Sequence, residues 1–72
     1  MTTQQEMIAY IENNWNSNND TIKNMKKAFE QRNDSAFQQL VKKIIEIITG
    51  TFTTPTDVVI KVAKAVKEWL GW

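Results

Sequence analysis

The apolar residues of this chain recur at three- and four-residue intervals, the spacing that stacks side chains on one face of an α-helix. Met7, Ile8, Ile11 and Trp15 form one narrow stripe, and Ile22, Met25 and Phe29 form a second. A third stripe is wider. Ala36, Phe37, Leu40, Val41, Ile44, Ile45, Ile47 and Ile48 cover about half of a helical wheel. The last set, Val58, Val59, Val62, Ala63, Ala65, Val66, Trp69 and Leu70, occupies an arc of about 160°. The pattern predicts four helices, with the third at the centre because so wide an arc needs several neighbours. The β-branched run in KKIIEIITGTF would also suit a strand. Its 3.6-residue period and its length favour a helix, and a lone strand would have no partner.

Polar punctuation sets the boundaries. The first helix is expected from Thr3 to Trp15, with Thr3 and Glu6 in capping-box spacing. NNWNSNN follows, five asparagines in seven residues, a helix stop that reads as a dispensable connector. The second helix runs from Asp20 to Arg32 and is broken by RNDS. The third runs from Ser35 to Thr49, capped by Asp34 or Ser35, with Gln38 three residues after Ser35 and Gly50 beyond its end. TTPTD opens the fourth: Thr54 suits the N-cap, Pro55 the first helical position, and Asp57 the first turn, and Gly71 ends the helix. The expected fold is all-α, a compact bundle of four short helices in a single domain over residues 1–72. The third and fourth helices should form a core hairpin in which Leu40, Ile44, Ile48, Val62 and Val66 meet, with the first two helices covering it.

Composition narrows the chemistry. Formal net charge is +1, too balanced for a protein that binds nucleic acid by neutralising phosphates. The densest basic stretch, KNMKKAFEQR, contains Phe29, which the second stripe needs for its own packing. There is no histidine and no cysteine, so the commonest general base, thiol nucleophiles and the usual zinc ligands are missing. The carboxylates fall on polar faces or caps, and no glycine-rich loop can cradle a phosphate. The expectation is a non-enzymatic protein with no cofactor and no metal. No apolar stretch approaches the ~20 residues that span a bilayer. MTTQQEMIAYIE has neither the basic nor the apolar region of a secretory signal. Localisation stays open between the cytoplasm and secretion without a signal peptide.

The most informative segment is VVIKVAKAVKEWLGW. Asp57, Lys61, Lys64, Lys67 and Glu68 lie opposite the apolar arc, and Ile60 is stranded among the lysines. Trp69 lies within the arc and should pack on the third helix; Trp72, past Gly71, should be free, as should Ile60. Phe52, Ile60, Trp69, Leu70 and Trp72 are more large apolar groups than one end of so small a bundle can hide, which marks a binding surface. A protein partner is the first expectation, contacted through Ile60, Lys61, Lys64, Lys67, Trp69, Leu70 and Trp72. Lysines opposite a tryptophan-bearing face also suit a helix lying in a membrane surface, so lipid is the alternative partner. Self-association is a further option.

With its spaced lysines, its KEW and its LGW ending, this segment resembles the C-terminal helix of the leaderless, aureocin- and lacticin-type bacteriocins. The resemblance covers fifteen of the 72 residues. It implies a saposin-like helical bundle and a membrane-active, antimicrobial role. That family is strongly cationic and tryptophan-rich throughout, whereas this chain is near neutral and rich in Asn and Gln in its first half.

Overall fold

Each helix of this chain starts where a side chain or a carbonyl can satisfy the first free backbone N–H groups. In the computed structural model, which describes residues 2–71, α1 (Thr3–Asn14) is capped by Thr2. Thr2 Oγ1 accepts from the Gln5 N–H at 3.2 Å, and Gln5 Oε1 accepts from the Thr2 N–H at 2.9 Å. The capping box is therefore Thr2–Gln5, one residue earlier than the Thr3–Glu6 pair expected. The earlier pair closes the same reciprocal bonds and leaves Glu6 in the first turn, near the positive end of the helix.

Asparagine caps the next two helices. The Asn19 side chain accepts from the N–H groups of Thr21 and Ile22 and opens α2 (Asp20–Glu30). Asn33 accepts from the Ala36 N–H and opens α3 (Asp34–Thr49). Asp34 and Ser35, the expected caps, lie inside the helix. Both caps belong to the same local pattern, Asn-Asp-Thr and Asn-Asp-Ser, which keeps the charged Asp free to face the helix dipole. α2 stops at Glu30 rather than Arg32, because Arg32 takes a left-handed backbone (φ 54°) in the turn to α3. Gly50, at φ 72°, ends α3 as expected.

α4 (Thr56–Leu70) begins differently. The Pro55 carbonyl accepts from the N–H groups of both Val58 and Val59, so Pro55 occupies the N-cap position and no side chain caps the helix. The expected cap, Thr54, turns its hydroxyl inward instead. Thr54 Oγ1 is buried and has no hydrogen-bond partner.

The architecture is all-helical, with α3 packed against each of the other three helices and α1 packed against both α3 and α4. α3, at 16 residues about 24 Å long, nearly spans the 26 Å longest dimension of the molecule. Its Phe37, Val41, Ile44 and Ile45 are buried. The first two helices do more than cover a hairpin: Met7, Ile11, Ile22 and Met25 are fully enclosed. Within the expected α3–α4 contact, Ile44, Val62 and Val66 are buried, while Leu40 and Ile48 are half-buried at its edges. α4 supplies only small buried residues, Val59, Val62, Ala63 and Val66.

The Asn-rich connector is tied down. Ser17 Oγ donates to the Asn14 carbonyl, Asn19 Nδ2 donates to Tyr10 Oη, and Lys26 Nζ donates to the Trp15 carbonyl while sitting 5.0 Å from the centre of the Trp15 ring. Asn19, Ser17 and Trp15 are thus structural, and so is Asn14, whose Nδ2 donates to the Tyr10 carbonyl at 2.8 Å.

Candidate interaction surface

The residues singled out on α4 do not form one patch. Ile60 is 47% exposed, and Lys61 and Lys64 are exposed beside it. Lys67 is tied to α3: its Nζ lies 2.6 Å from Asp34 Oδ1 and 5.5 Å from the centre of the Phe37 ring. Only 22% of the Lys67 side chain is exposed. It clasps the C-terminal end of α4 to the start of α3.

Trp69 corrects the sequence reading. Expected to pack on the third helix, it is 41% exposed. The position of the packed face explains this. The buried residues Val59, Val62, Ala63 and Val66 centre that face away from Trp69, which sits toward its edge. Leu70 is half-buried against the core. Trp72 lies outside the described residues. Ile60 and Trp69 are nine positions apart, which at about 100° per residue puts them about 180° apart around α4. Between them the outward crest carries Asp57, Lys61, Lys64 and Glu68, all exposed.

Two further large apolar residues are uncovered. Phe52, in the loop between α3 and α4, is 80% exposed, and Ile47, in the last turn of α3, is 53% exposed. Ile47 belongs to the apolar arc of the third helix, but no helix covers that edge of it.

A shallow, open groove of about 200 Å³ runs between α3 and α4, lined by Ser35, Gln38, Gln39, Lys42, Thr56 and Val59. The periodic pattern does not disclose it, since it is assembled from the polar edges of two helices.

Comparison with protein-family models, curated proteins and solved structures finds no match to this chain. The surface alone therefore carries the functional reading. Among the described residues no group of acidic, His or Cys side chains could hold a metal ion. Among the same residues, no helix is long and apolar enough to cross a membrane.

Proposed function

We propose that this protein is a non-enzymatic binding module that engages a protein partner through the flanks of α4. The observation that carries the reading is the placement of Ile60 and Trp69 on opposite sides of a charged crest. A flat surface approaching α4 meets Asp57, Lys61, Lys64 and Glu68 first and cannot cover both apolar residues. Desolvating those charges against hydrocarbon would be costly. A partner with a concave face can straddle the crest, leave its charges at a wet rim, and bury an apolar side chain on either flank.

The reading is tested with photo-crosslinking side chains placed at position 60, at position 69 and, as a control, at Glu12 on α1. Incubated with extract of the source cell, positions 60 and 69 should each trap the same protein and position 12 should not. Equal labelling at all three positions would argue against a defined surface.

The bacteriocin-like reading has a separate test. It requires the α3–α4 hairpin to open and bury its apolar faces in lipid. Anionic vesicles should then leak, and the tryptophan emission should shift to the blue.

A further inference from the structure

We draw no further inference here: the strongest candidate, the apolar surface patch at the α3–α4 loop where Phe52 and, in the last turn of α3, Ile47 stand exposed, carries nothing because nothing in the structure shows what covers it.

Discussion

Two side chains show how much a single buried atom decides in a chain of this size. Ile44 is fully enclosed on the helix that all others touch. Ile44→Ala should cost about 2–5 kcal/mol, from lost burial and the cavity left behind. That is a large fraction of the stability of so small a domain, and a thermal melt showing an unchanged midpoint would rule out α3 as the centre of the core. Thr54 presents the opposite case. Its hydroxyl is buried without a partner, so it loses its water and gains nothing in return. Thr54→Val keeps the shape and removes the orphaned oxygen. It should stabilise the fold by roughly 1 kcal/mol, measured as a rise in the denaturation midpoint at unchanged slope.

Among the elements, α4 buries the smallest side chains. They are valines and one alanine, its N-terminus lacks a side-chain cap, and a partly exposed ion pair supplements the packing of its far end. Exposed ion pairs of this kind contribute at most about 1 kcal/mol. Hydrogen exchange should therefore show the amides of α4 opening at lower free energy than those of α2 and α3; equal protection across all four helices would contradict this. The helices themselves are legible in the sequence, because stripes such as Ile22–Met25–Phe29 and Leu40–Ile44–Ile48 repeat at the helical period. Caps are legible only to within a residue, since Thr2 competes with Thr3, and Asn33 with Asp34 and Ser35, for the same backbone donors. Trp69 is misplaced by the sequence for another reason. A wheel gives the direction of each side chain but not which part of a wide apolar arc the neighbouring helices cover. The groove is not legible at all, because Gln38, Gln39 and Lys42 acquire a meaning only when Thr56 and Val59 are brought beside them.

For the whole molecule, the pattern of helix contacts has a consequence in time. α2 and α3 are joined by a turn of three residues and share the most extensive interface, so their packing needs little chain closure. α1 is different. It is made first, yet it packs on α3 and α4, the last two helices to be synthesised. Until α4 is complete, Met7 and Ile11 have only part of their final surroundings. In a refolding experiment this order should reappear as kinetics. Ile22→Val should slow folding, as expected where neighbouring helices pair early, whereas Met7→Ala should chiefly speed unfolding. The reverse assignment would mean that α1 docks early. A ribosome-bound chain stopped within α4 should likewise leave α1 open to protease while α2 and α3 are already protected, so that of the four helices the earliest in the chain is the last to be secured.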